Sequence, residues 1–157
     1  MKGKTVGKQC IAPSATLDQR FRFGIFNWDT QLTYQTSSNE DVLPLPKFSV
    51  YSNVYLKFLV AKVLHVQLGI DGNYYTSYYA PAYNPAIMSF HTQHEVKCGN
   101  FAFLNAYANF KLKKARFYVM YSHVNKGLFG GNNYFSSPHY PLNPGRFQMG
   151  VSVDFVN

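Results

Sequence analysis

The chain has 157 residues, with 15 Lys and Arg against 7 Asp and Glu for a formal net charge of +8, and it is 18% aromatic but only 14% charged. That length suits one domain, the charged fraction is low for a soluble surface, and no run of about 18 apolar residues exists, which excludes a membrane-spanning helix. The Lys and Arg are scattered and form no stripe or motif, so nucleic acid is not an expected partner.

Residues 1–13 read as a loop or partial strand. Thr5–Ile11 is a weak candidate for an eighth strand, because Lys4, Gly7, Lys8 and Gln9 make a poor apolar face. From Thr16 onward, apolar and polar residues alternate with the period of a β-strand, whose successive side chains point to opposite faces. The first predicted strand is Thr16–Phe26, with Leu17, Phe21, Phe23 and Ile25 against Asp18, Arg20 and Arg22. A tight connection at Phe26-Asn27 leads to Trp28–Gln35, where Trp28, Thr30, Leu32 and Tyr34 oppose Asp29, Gln31, Thr33 and Gln35. A longer loop, Thr36–Pro46, carries Pro44 and Pro46, which forbid regular ladder pairing. The third strand is Phe48–Leu59 and the fourth Val63–Tyr75, joined by a brief turn at Val60-Ala61-Lys62.

A long connection, about 76–101, holds many Tyr and Pro, and Ser89–Val96 within it is a candidate extra strand. The fifth strand is Phe103–Leu112. A Lys113-Lys114 turn leads to the sixth, Ala115–Val124. After a Gly- and Pro-rich loop, 125–144, the seventh runs Arg146–Phe155. Its odd positions Phe147, Met149, Val151, Val153 and Phe155 are apolar, and its even positions Arg146, Gln148, Gly150, Ser152 and Asp154 are not.

The connections alternate short and long, as in outer-membrane barrels with short periplasmic turns and long extracellular loops. Aromatics on the apolar face give a second indication. Trp28, Phe58, Phe110, Phe117 and Phe155 fall at the short-turn ends, and Tyr34, Phe48, Tyr74 and Phe147 at the long-loop ends. Two such girdles around an aliphatic band suit rings that prefer the membrane interface. The expected fold is therefore all-β: an antiparallel up-and-down meander of seven or eight strands, residues 14–157, forming part of a transmembrane barrel. An open wall leaves unpaired backbone edges in lipid, so the chain is expected to be the C-terminal part of a longer protein whose earlier strands complete the barrel. Outer-membrane lipid and those strands are its expected partners, with oligomers compatible.

On this reading the opposite face lines a water-filled lumen. Its expected lining is Arg20, Arg22, Asn53, Tyr55, Lys57, His65, Gln67, Asp71, Asn73, Asn105, Tyr107, Asn109, Lys111, Arg146, Gln148 and Asp154. The charges on this face read either as cross-strand pairs that stiffen the wall or as a weakly selective polar pathway. Tyr75, Tyr78, Tyr79 and Tyr83 suit stacking on sugars, plugging the mouth, or packing against neighbouring loops.

Chemistry is not expected. His91-Thr-Gln-His94-Glu95 offers metal-ligand types, but His91 and His94 point to opposite faces of a strand and no third His is near. No Gly-x-Ser-x-Gly elbow accompanies Ser122-His123, and His65 and His123 read as polar strand residues. Cys10 and Cys98 are too far apart in sequence to predict a bridge and are expected to be unpaired. No cofactor, metal or catalytic residue is expected.

Several stretches, in order and spacing, resemble the putative porin family of Bacteroidota. They are Ser14-Ala-Thr-Leu17, Thr33-Tyr-Gln-Thr-Ser-Ser-Asn39, Leu43-Pro-Leu-Pro46, Val50-Tyr-Ser-Asn53, Lys62-Val-Leu-His-Val-Gln-Leu-Gly69, Tyr78-Tyr-Ala-Pro-Ala-Tyr83, Ala106-Tyr-Ala-Asn-Phe110 and His139-Tyr-Pro-Leu-Asn-Pro144. The resemblance covers the C-terminal part of that family's barrel and implies an outer-membrane location with passive passage of small polar solutes. Other readings of the pattern are the barrel end of a TonB-dependent receptor, a structural or adhesive surface barrel, and a soluble β-barrel or β-sandwich binder.

Overall fold

The computed structural model describes residues 10–40, 42–127 and 135–155. Seven long strands form one antiparallel sheet: β1 (Ser14–Phe23), β2 (Phe26–Gln35), β3 (Phe48–Val60), β4 (Leu64–Tyr75), β7 (Phe101–Leu112), β8 (Ala115–Ser122) and β11 (Arg146–Val153). Each is hydrogen-bonded to the next in chain order, which is the expected meander. Two small hairpins lie in the long connections, β5 (Ala82–Asn84) with β6 (Ser89–His91), and β9 (Phe135–Ser137) with β10 (Tyr140–Pro141). No α-helix occurs among the described residues.

Directly opposed residues in an antiparallel ladder share a face, so the register settles which side chains lie together. On one face Trp28, Val54, Ile70, Ala106, Tyr121 and Phe147 form a continuous row across six strands. The row Phe58, Val66, Phe110, Phe117, Val151 runs nearer the short turns. Tyr34 opposes Phe48, and Tyr74 lies between Val50 and Ala102, towards the long loops. Phe58, Phe110 and Phe117 thus stand near the short turns and Tyr34, Phe48 and Tyr74 towards the long loops of one face, with aliphatic residues between them, while Trp28 and Phe147, expected in opposite bands, share one row. The indole N–H of Trp28 donates to Ser52 Oγ at 2.9 Å, which satisfies its one polar group on that face.

Neither face carries a second layer among the described residues. Large apolar side chains stay open, including Ile70 at 53%, Phe147 at 59% and Val151 at 65% exposure, while Val66 is buried between its cross-strand neighbours Phe58 and Phe110. A sheet with an apolar face this open has no enclosed hydrophobic core.

The structure corrects several strand ends. The first turn lies at Gly24-Ile25 rather than Phe26-Asn27. Gly24 adopts φ +58°, the left-handed conformation that glycine takes without steric cost, and Phe26 and Asn27 belong to β2. Ile25, expected on the apolar face of the first strand, is in that turn. The sixth strand ends at Ser122, because His123 turns to φ +57°. His123 is therefore not a strand residue. It is buried and packs against Phe103 with ring centroids 4.8 Å apart. The seventh strand ends at Val153, which leaves Asp154 and Phe155 beyond it, although Asp154 N still donates to Lys114 O at 3.0 Å. The candidate strand Ser89–Val96 shrinks to β6. Of the possible eighth strand, Thr5–Gln9 lie outside the described residues. Cys10–Pro13 are irregular and run beside residues 36–38, with Ser38 N donating to Ile11 O and Thr36 N to Pro13 O.

Candidate functional site

The polar face draws on all seven long strands. One row runs Arg20, Asp29, Asn53, Asp71, Asn105, Ser122, Arg146, a polar residue on every strand. The next row towards the turns is Arg22, Asn27, Tyr55, Gly69, Tyr107, Met120, Gln148. Beyond it come Lys57, Gln67 and Asn109, then His65, Lys111 and Arg116. Towards the loops, Asn73 opposes Tyr51 and Phe103. Fifteen of the sixteen expected lining residues sit on strands of this one face; the exception is Asp154, just past β11.

Hydrogen bonds tie the rows together. Arg22 Nη1 pairs with Asp29 Oδ1 at 2.6 Å, and the Tyr55 hydroxyl donates to Asp29 Oδ2 at 3.0 Å. Asn105 Nδ2 donates to Asp71 Oδ2 at 2.9 Å. Tyr107 Oη donates to Asn53 Oδ1 at 2.9 Å and accepts from Gln67 Nε2 at 3.0 Å. Tyr55 is buried, with the Arg22 guanidinium 5.7 Å and the Lys57 ammonium 4.9 Å from its ring centroid. Hydrogen bonds to an ionised group are the stronger kind, so Asp29 is held by its neighbours rather than presented bare.

Two hollows mark this face. One, about 450 Å³, lies over β1–β3 and mixes charges: Asp18, Arg20, Arg22 and Asp29 with Gln31, Tyr51 and Asn53. The other, about 900 Å³, lies near the short turns of β3–β4 and β7–β8; Lys57, His65, Lys111 and Arg116 line it with Gln67, Asn109, Tyr118 and Ser152, and Phe58, Leu59, Val66, Phe110 and Phe117 border it too. Here Arg116 Nη2 is 3.8 Å from Asp154 Oδ2.

Sequence reading placed Asp29 on this face as a counter-charge but missed Arg116, Tyr118 and Ser122 as members of it. Arg116, Tyr118, Met120 and Ser122 do alternate with Phe117, Val119 and Tyr121. The signal is blurred because Tyr118 and Met120 are themselves large and partly apolar, so only pairing with β7 and β11 assigns the face.

At the long-loop end the connections pack on one another. Tyr78 and Cys98 exchange backbone hydrogen bonds of 3.0 and 2.9 Å. The Gln93 side chain donates to Ala80 O and Val96 O and accepts from the amides of Glu95 and Val96, a complete set of bonds for one amide. Ser137 Oγ donates to Pro81 O at 2.8 Å, and Tyr83 packs edge-on against Tyr140 with centroids 6.2 Å apart, so the 76–100 and 123–145 connections touch. Tyr75 packs on Tyr78 and Phe101, and Tyr79 on His94. Burial pushes the Cys98 thiol and the Tyr78 phenol up from their ordinary pKa values. Cys10 and Cys98 are both free thiols. His91 is in β6 and His94 stands against Tyr79, and the described residues contain no group of three or more His, Cys, Asp or Glu placed to hold a metal.

A model of the family described as "Putative porin" matches residues 7–157. No curated protein and no solved structure matches the chain.

Proposed function

Since the chain belongs to the Putative porin family, we propose that it forms part of the wall of an outer-membrane β-barrel through which small polar solutes pass passively, with no catalytic step and no cofactor. The observation that carries this reading is the division of one unlayered sheet. Two bands of aromatics flank aliphatic residues on one face, and a polar residue from each of seven strands crosses the other. Hydrocarbon accepts the first face and water the second.

Unpaired backbone groups cost several kcal/mol each in hydrocarbon. The outer edges of β1 and β11 have no partner strand among the described residues, and in the membrane they pair with further strands that close the barrel. The residues lining the resulting lumen are the polar-face set, from Arg20 and Arg22 on β1 to Arg146 and Gln148 on β11. The loops that join through Ser137 and Pro81 stand at the extracellular mouth.

The test is reconstitution of the full-length protein into planar lipid bilayers. Discrete conductance steps in simple salt are expected. A folded, membrane-inserted protein that never conducts is a structural barrel, and the transport reading is then wrong.

A further inference from the structure

Charge on the polar face is sorted along the strands. Asp18, Asp29 and Asp71 lie in the rows of Arg20 and beyond, towards the long loops, and Asp29 and Asp71 have hydrogen-bond partners of their own. The opposite end collects cations. Lys111 stands directly across the ladder from His65 on one side and from Arg116 on the other, and Lys57 is on the same face of β3. Lys62 and Lys113 occupy the adjoining turns. Of the seven carboxylate side chains in the sequence, Asp154 is the one found at this end among the described residues, 3.8 Å from Arg116.

Directly opposed residues have Cβ atoms about 5 Å apart, and like charges at that spacing repel and destabilise the pair. A sheet that keeps Lys111 against Arg116 on a concave surface gains from a counter-ion there. The hollow is about 900 Å³, and beside its cations it presents the Gln67 and Asn109 amides and the Tyr118 phenol, all capable of donating hydrogen bonds. Guanidinium and ammonium groups with neutral donors around them are the groups that bind oxyanions such as carboxylate and phosphate. A charged cleft also raises the local concentration of the opposite ion.

We propose that this hollow is an anion-binding vestibule at the short-turn end of the lumen, built on Lys57, Lys111 and Arg116, and that it makes the pathway prefer small anionic solutes over cations. The inference rests on the transport reading above and adds the class of solute. Asp154 tempers the site without neutralising it, since one carboxylate faces three cations.

The experiment measures reversal potential across a neutral phosphatidylcholine bilayer holding the full-length protein under a potassium chloride gradient. Wild type is expected to favour chloride over potassium by roughly threefold or more, and inorganic phosphate added on the short-turn side is expected to reduce chloride current. Lys111→Gln with Arg116→Gln should abolish most of that preference while channels still form, and Lys57→Gln alone, a milder change, should lower it partly. Lys47→Gln, outside the lining in the loop before β3 and paired with Glu40 at 3.2 Å, should leave it nearly unchanged. Cation preference in wild type, or an anion preference untouched by both the double variant and Lys57→Gln, overturns the vestibule and leaves passive transport standing. Absence of any channel in wild type overturns both.

Discussion

The phenol of Tyr107 on β7 lies across Gly69, its direct partner on β4, and reaches over that strand to donate to Asn53 on β3. Glycine is needed under the ring: a Cβ on Gly69 would meet Tyr107 Oη at 2.6 Å and Tyr55 Cβ at 2.7 Å. The hydroxyl of Tyr107 could swing away, but Tyr55 Cβ is anchored to its own backbone. Gly69→Ala is therefore expected to destabilise the sheet by about 1–3 kcal/mol, the usual range for overpacking, with loss of the Gln67–Tyr107–Asn53 hydrogen bonds. Denaturant unfolding of the protein refolded in lipid vesicles reads this. An unchanged midpoint would mean that the ring does not occupy this place.

The division of faces makes a sharp comparison. Ile70 is mid-strand on β4, between Val54 and Ala106 on the apolar face, while Asn73 is on the polar face of the same strand. On the proposed barrel, Ile70→Arg would set a cation against hydrocarbon and is expected to cost about 2–4 kcal/mol, whereas Asn73→Arg should cost far less. The same unfolding measurement decides it, and similar costs for the two would contradict the assignment of lipid and lumen sides.

Asn125 stands in for a missing strand. Beyond Ser122 the ladder with β7 thins to one backbone bond, Val124 N to Leu104 O at 2.9 Å, and the buried Asn125 side chain adds to it: its Oδ1 accepts from Leu104 N at 3.1 Å and its Nδ2 donates to Ala102 O at 2.6 Å. Asn125→Ala removes both bonds and leaves part-buried backbone groups of Ala102 and Leu104 unmatched, a loss of about 1–3 kcal/mol. Amide hydrogen exchange at Leu104 should accelerate well above that of Ala108 deeper in β7. Equal protection at the two sites in the variant would show that the side chain carries no share of the ladder.

The two thiols should separate in pH. The Cys10 thiol lies 3.3 Å from Ser37 Oγ, and that hydroxyl, by donating to the thiolate, holds the Cys10 pKa below its ordinary value; burial holds Cys98 above its own. The thiolate is the reactive form, so alkylation of Cys10 should rise at lower pH than that of Cys98, and at neutral pH Cys10 should react faster. Rates of iodoacetamide labelling across pH in Cys10→Ser and Cys98→Ser proteins test this. The reverse order would place Cys98 in contact with solvent.

Much of the architecture was written in local pattern. The period-two alternation from Leu17 to Phe155, the short and long spacing of connections and the aromatics at strand ends yield seven strands, their order and both faces, because a strand side chain has only two directions to choose between. What alternation does not carry is the exact end of a strand or the identity of its neighbour. Gly24 rather than Asn27 makes the first turn, since the left-handed residue decides where the chain reverses. His123 leaves β8 for the same reason.

Pairing across strands belongs to the tertiary structure alone. Lys111, Arg116 and His65 are scattered over more than fifty positions of sequence, and each by itself is an ordinary polar strand residue. Only the ladders β4–β7 and β7–β8 bring them into one row and concentrate their charge in one hollow. Likewise nothing near Tyr107 in sequence announces Asn53, because the bond between them depends on a glycine on the strand that lies between. Sequence determines which side of the sheet a residue faces; register, set by the turns and by packing over the whole sheet, decides what it meets there.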